Sequence, residues 1–489
     1  MKIRKDLRGV LCLSLLIILL LQTLLCSCGV VSVLDAPNDD ETTAPKTETE
    51  APPALNVVQN EYGADVEKFM GDLSGGKYGG VSARIVAPKK NMILPDETQS
   101  KVISEDMVER NLAVEDTLGI VLTCEERDPD LIYSELRSAK NSGTYYADCV
   151  MYPQNMIGSF VTGGAVINMK GLPSFETDKD YYYQSAVAAG TGGDAVYAVA
   201  GPASLNEDGL SCIYFNKAMI EKAGLESPYA LVDRGEWTID KYIEYVKAGG
   251  ALEGEYYGYG AQNTQTYLTD LFYFAGGETL TVSDLGSYPA LNMGGQNVVP
   301  LIEKIREATV NAESSGSAVL AIDAFNSGNT LFLIDRLDTM KSLVNSKTDW
   351  GILPMPKFSK DQAKYLSLAN CEDAMFFSAV ATAPNYAMSA DLIAALNIMS
   401  YGYTQDAYVA EATYYYLRDN ESIRMLDHIV KNPVFDMAYS FSGTYNAIPS
   451  ATFMAVRNAV AGVSTLERYI GMWQGQFSNA MYYLFDVND

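Results

Sequence analysis

The side chains with the clearest binding chemistry stand at Gln262, Asn263, Gln265 and Tyr267. Three amides beside a phenol supply uncharged donors and acceptors next to an aromatic ring. Such a set suits a ligand rich in hydroxyls, which both give and take hydrogen bonds. A second group, Asp335, Arg336 and Asp338, follows an apolar run and serves either a ligand or a structural ion pair. Scarcity excludes other chemistries. The single histidine, His428, leaves no room for a His-based triad or a multi-histidine metal site, and its place in SIRMLDHIVK suits a structural role on a helix. The seven cysteines, at 12, 26, 28, 124, 149, 212 and 371, form no Cys-x-x-Cys pair in the globular part, so a zinc ribbon or thioredoxin-like centre is unsupported. Acids outnumber bases, 61 to 35, so paired carboxylates for glycoside hydrolysis exist in any arrangement and discriminate nothing. The net charge of −26 argues against nucleic acid and anionic lipid headgroups as partners.

These side chains need elements to hold them. Cys212-Ile213-Tyr214-Phe215 is a short apolar, β-rich burst that reads as a buried strand. Asn216 can cap the helix after it, which carries Met219, Ile220 and Ala223 on one face and ends at Gly224. Thr238 is a second cap, opening a helix with Ile239, Tyr242, Ile243 and Val246 on one side. Further upstream, GGVSARIVAP is a strand with Val81, Ala83 and Ile85 alternating. Residues 102–117 form a helix burying Met107, Val108, Leu112 and Val114, and GIVLTCEE is the next strand. A helix over 130–140 and a strand over Tyr146–Tyr152 follow. Strand–helix–strand repetition implies parallel strands with right-handed crossovers. An open α/β sheet binds ligands beyond its C-terminal strand ends, which places Tyr152, Gln154 and Asn155 either at a cleft or in an ordinary loop. A chain of 489 residues exceeds one small core, so two lobes are expected. The cysteines beyond Cys28 lie in or beside apolar runs, as buried thiols do, although an exported protein also permits a disulfide.

The N-terminus reads as an export signal. Lys2, Arg4, Lys5 and Arg8 precede an apolar stretch from Val10 to Leu25. Leu25-Cys26-Ser27-Cys28-Gly29 resembles the bacterial lipobox, which implies cleavage after residue 27 and lipidation of Cys28; an uncleaved anchor is the alternative. Residues 30–60 are acidic and rich in Pro and Thr, too polar for a core, and suit an extended tether. The folded part begins near Tyr78.

CIYFNK, continued by AMIEKAGLESPYALVDRGEWTIDKY, resembles the "YNK…GL…P…W(T)" signature of extracellular solute-binding proteins of ABC importers, carbohydrate-type cluster. The form SPYALVDRGEWTIDKY and the phrase Glu109-Arg110-Asn111 resemble a lipoprotein subfamily common in clostridia-like bacteria. AFNSGNTLFLIDRLD, DWGILPMPK, RDNESIRMLDHIVKNPVFDMAYSF and FMAVRNAV also resemble family phrases in the family's order, so the likeness spans roughly 78–485. The resemblance implies an α/β, two-lobe periplasmic-binding-protein-like (type II) fold with a hinge and an interlobe ligand cleft. After the signal (1–27) and the lipidated Cys28 with its tether (28–77), lobe 1 takes 78–200 and 370–404, and lobe 2 takes 201–369 and 405–489. It puts Asn206 and Asp208 near the hinge, 262–267 in a second-lobe contact loop, and Asp335, Arg336 and Asp338 at the cleft. Phe453 matches an aromatic that maltodextrin-binding relatives present to sugar, with core packing as the other reading. Trp237 is expected to be packed rather than ligand-bound. This sequence departs from the subfamily in two places. Tyr181-Tyr182-Tyr183 stand where relatives carry tryptophans, and a calcium-like "D-x-N-x-D-G" insertion is absent, so no metal or cofactor is expected. The implied function is a non-enzymatic, monomeric receptor, lipid-anchored outside the cell, that captures a sugar for an ABC permease. A cell-surface glycan-active enzyme and an orphan sensor or adhesion lipoprotein of the same fold are the rivals.

Overall fold

The strand at Ser211–Asn216 is buried along its whole length, and it sits inside a sheet of four. The computed structural model describes residues 66, 69–73, 77–97, 99–261, 265–283, 286–310, 318–402, 404–442 and 448–486. The export signal, Cys28, most of the tether, Gln262 and Asn263 lie outside these residues, but Phe69 and Leu73, expected in the tether, are buried in the core beside Ala83 and Ile85, so the packed part begins before Tyr78.

Eight strands build two four-stranded sheets: β1 (Val81–Ala87), β2 (Ile120–Glu126), β3 (Cys149–Pro153), β4 (Ser211–Asn216), β5 (Tyr257–Ala261), β6 (Thr330–Arg336), β7 (Trp350–Leu353) and β8 (Met375–Ala379). The first sheet runs β8-β3-β1-β2, the second β7-β4-β6-β5. In the first, β1 pairs in parallel with β2 and β3, with Ile85 opposite both Cys124 and Cys149. Parallel pairing needs crossovers, and helices Lys101–Leu118 and Pro129–Ser142 supply them. β8 joins this sheet antiparallel to β3 although the whole second sheet precedes it in sequence. The chain therefore leaves the first sheet and returns to it, which makes two lobes and a hinge.

The crossings lie side by side. Val199 bridges Phe377 and Leu210 bridges Ala369, both antiparallel. A third segment joins them where Ser367–Leu368 pairs with Pro433–Val434. Asn206 staples the hinge: its amide N–H donates to the Met375 carbonyl at 3.2 Å, and its amide oxygen accepts from the Met375 N–H at 2.7 Å.

Local signals work as their chemistry requires. Asn216 Oδ1 accepts from the Met219 N–H, and Thr238 Oγ1 from the Lys241 N–H, so both side chains cap helices. Trp237 is fully buried and donates its indole N–H to the Pro354 carbonyl at 3.0 Å. Cys124, Cys149, Cys212 and Cys371 are free thiols.

One helix turns a different face inward. In Lys101–Leu118 the buried residues are Met107, Arg110, Asn111, Val114 and Leu118, whereas Val108 and Leu112 are exposed. Met107, Asn111, Val114 and Leu118 recur at helical spacing. Arg110 is buried among acceptors, donating to the Ile93 carbonyl, Asn111 Oδ1 and Ser400 Oγ. Burial lowers its pKa to about 10. Helix Thr404–Glu411, placed in lobe 2 on resemblance, packs on Lys101–Leu118, and Glu411 accepts from Ser100 Oγ at 2.6 Å. Helix Asn420–Val430 packs on β7.

Candidate functional site

Four elements converge where the hinge meets the sheet ends. β6 ends in Arg336, whose guanidinium bridges Asp338 on its own loop and Asp373 in the turn that precedes β8. β3 ends at Pro153, and the backbone N–H of Asn155 just beyond it donates to the Cys371 carbonyl at 3.2 Å. Helix Gln265–Ala275 brings in Tyr267 in its first turn. The Tyr267 ring is half-buried, with Asp270, Arg336, Cys371 and Asp373 as its titratable neighbours. Burial and the nearby acids raise its pKa, so the phenol stays neutral and can donate.

Behind Tyr267 lies a buried polar network. Asp270, 3% exposed, accepts Nε–H of Arg457 at 3.0 Å and the Tyr439 hydroxyl at 2.8 Å. A second guanidinium N–H completes a bidentate pair. Tyr439 packs against Phe453 with ring centroids 4.4 Å apart, and the Arg457 guanidinium lies 5.2 Å from the Phe453 ring. The arrangement is one half-buried ring, Tyr267, backed by buried aromatic rings and by arginines that are each paired with a carboxylate. It can stack on an apolar face and hydrogen-bond hydroxyls.

The structure sorts the expected contact residues. Tyr267, Arg336, Asp338 and the Asn155 segment come together. Tyr152 does not join them: it is fully buried, stacked on Phe160, and its hydroxyl pairs with Ser378 Oγ at 2.6 Å. The reason is that β3 is buried on both faces, so its last residues point into packing. Gln154 is also buried, and its amide donates to the Asp436 carbonyl and Ser440 Oγ. Asn206 is consumed by the hinge staple. Asp335 is buried and accepts from Thr339 Oγ1 at 2.7 Å. Asp208 binds Lys341 at 2.6 Å and the Tyr408 hydroxyl at 3.0 Å. Phe453 is 5% exposed and supports the network from behind. Gln265 opens its helix. Asp270, Asp373, Tyr439 and Arg457 were not anticipated. The one available signal was the four-residue spacing of Phe453 and Arg457, which puts both on one helix face. Among the described residues, no cluster of metal-ligating side chains occurs.

No family profile matches the chain, and no curated relative matches it. Solved structures do. A cyclo/maltodextrin-binding protein in complex with maltotetraose aligns over 82% of this chain and 97% of its own, with 14% identity and a TM-score of 0.54. A cyclic α-maltosyl-1,6-maltose binding protein from Arthrobacter globiformis covers 82% and 99%, at 10% identity and TM-score 0.53. A family 1 extracellular solute-binding protein from Bifidobacterium longum subsp. infantis covers 83% and 100%, at 14% identity and TM-score 0.51. The chain has the two-lobed α/β fold of the extracellular solute-binding proteins.

Proposed function

We propose that this protein is an extracytoplasmic receptor that captures a carbohydrate and delivers it to an ABC permease, held at the membrane through Cys28. The observation that carries this reading is the convergence of Tyr267, the Arg336–Asp338–Asp373 bridge and the Asp270–Arg457 pair at the hinge between two sheets. Closure of two lobes about such a hinge excludes water and strengthens every polar contact inside. Tyr267 stacks on a sugar ring in this reading, while the amides of Gln262, Asn263 and Gln265 meet hydroxyls. The solved relatives named for maltotetraose and cyclic maltosyl-maltose support a glucan-like ligand. Lobe 1 would comprise 78–200 and 370–404, with helix Thr404–Glu411 added by its packing.

A glycan-active enzyme fits less well. It needs a carboxyl group free to protonate a leaving group, and Asp270, Asp338 and Asp373 are each bound by an arginine.

Calorimetric titration with maltooligosaccharides tests the reading. We expect a Kd of about micromolar, roughly −8 kcal/mol, and about tenfold weaker binding in Tyr267→Ala, from loss of roughly 1–1.5 kcal/mol of aromatic contact. Absence of binding to any glycan, or turnover of one, overturns it. Loss of sugar uptake on removing the protein from cells separates transport from sensing.

A further inference from the structure

A second junction between the lobes shares no residue with the site above. It encloses about 650 Å³. Asp180, Tyr183 and Tyr401 line it from the first lobe, and Lys357, Lys364 and Tyr365 from the second. His428 and Lys431, at the end of helix Asn420–Val430, complete the wall.

Charge distinguishes this groove from the rest of a strongly acidic chain. Lys357 is 3% exposed, and its ammonium donates only to neutral carbonyls, those of Gln362 at 2.9 Å and Lys360 at 3.4 Å. It lies 5.0 Å from the Tyr365 ring. Burial lowers the pKa of Lys357 and Asp361 partly offsets this, so an oxyanion in the groove would add to the stabilisation of the ammonium. Lys364 is exposed and forms no ion pair among the described residues. Lys431 pairs with Asp427 at 2.8 Å. Of the two acids in the lining, Asp233 is bound to Arg424 at 3.0 Å, which leaves Asp180; outside the lining, Asp361 acts on Lys357 and Asp427 on Lys431. Tyr365 and His428 meet edge to face, 5.5 Å apart, and offer ring surface beside the cations.

We propose that this groove is a second ligand site, for a small organic anion whose oxyanion head sits among Lys357, Lys364 and Lys431 and whose body lies against Tyr365 and Tyr183. The site is wired to the hinge. The Tyr183 hydroxyl donates to Glu207, and its ring stacks on Phe435, next to the third crossing segment. A ligand touching both lobes makes different contacts when they rotate, so it biases closure, and glycan binding biases its affinity in return. This coupling, unlike the site itself, rests on the receptor reading above.

The test is titration of the full chain with inorganic phosphate and with glucuronate, a carboxylate on a sugar-sized body, read by calorimetry and thermal shift. Saturable binding of at least one probe is expected, weakened about tenfold or more in Lys364→Ala and in His428→Ala. Lys357→Met should abolish it; if that variant misfolds, the two surface variants still decide. No saturable binding of either probe, or binding unchanged in Lys364→Ala, overturns the site. Glycan affinity is then measured with the anion saturating. A severalfold change supports the coupling, and an unchanged affinity overturns it. If the anion binds and no glycan does, the receptor reading falls and the anion site stands.

Discussion

Two buried carboxylates at the lobe junction are treated in opposite ways. Asp270, under the candidate cleft, meets a bidentate arginine and a tyrosine hydroxyl. Glu207, in the first hinge segment and 2% exposed, meets no cation among the described residues. The Tyr183 hydroxyl reaches one of its oxygens at 3.4 Å and the Glu207 backbone N–H favours the charged form, while the other oxygen has no partner among the described residues. Burial raises its pKa from 4.5 to about 7, and neighbouring Asp208 adds to the shift. Asp208 itself is neutralised by Lys341. A fully satisfied network fixes one geometry, whereas a half-satisfied one stores cost at a point of motion. The cleft floor is thus built to be rigid and the hinge to be poised.

The comparison breaks most visibly at Arg457. Arg457→Met leaves Asp270 buried and uncompensated, and we expect a loss of about 3–5 kcal/mol in urea unfolding. Adding Asp270→Asn should return most of it. A single-variant cost below about 1 kcal/mol would mean the pair is solvated, and the contrast with Glu207 would disappear.

Glu207→Gln comes next. Because the folded pKa lies above the unfolded one, the folded state binds more protons between pH 4.5 and about 7. Stability contributed by this group is therefore complete below pH 4.5 and is lost as pH rises through about 7, amounting to roughly 3 kcal/mol. The Gln variant should lose that slope and exceed the parent in stability at alkaline pH. Parallel pH profiles for the two proteins would show that burial leaves the Glu207 carboxylate unperturbed.

Much of the fold was legible because its signals are local. The apolar run of β4, the caps at Asn216 and Thr238, and the stop at Gly224 (φ +66) each need only a few neighbouring residues. The inward face of Lys101–Leu118 was not legible, because a buried arginine depends on acceptors supplied by Ile93 and Ser400. The site divides the same way. Tyr267, Arg336 and Asp338 were singled out through the family resemblance, and the structure brings them together at the end of β6 and the first turn of helix Gln265–Ala275. Their partners were not legible: Arg336 reaches Asp373 across 37 positions, and Asp270 reaches Arg457 across 187. Tyr152 and Gln154 looked like cleft residues only because a strand end carries no mark of which side is solvent.

The smallest expected effect is at Leu205 in the hinge backbone. Leu205 precedes the Asn206 staple with φ +51, a left-handed conformation that costs a leucine about 1–2 kcal/mol. Leu210, five positions on and 1% exposed, has an ordinary extended backbone, φ −75. Glycine at 210 loses packing and gains chain entropy in the unfolded state, so Leu210→Gly should cost about 3 kcal/mol or more. Leu205 is only half-buried, so Leu205→Gly loses less packing and also relieves the strained φ. Its net cost should stay below about 1 kcal/mol, measured in the same urea titrations. Equal costs at the two positions would place Leu205 at ease in its conformation. The stored energy of the hinge would then lie in the Glu207 carboxylate alone.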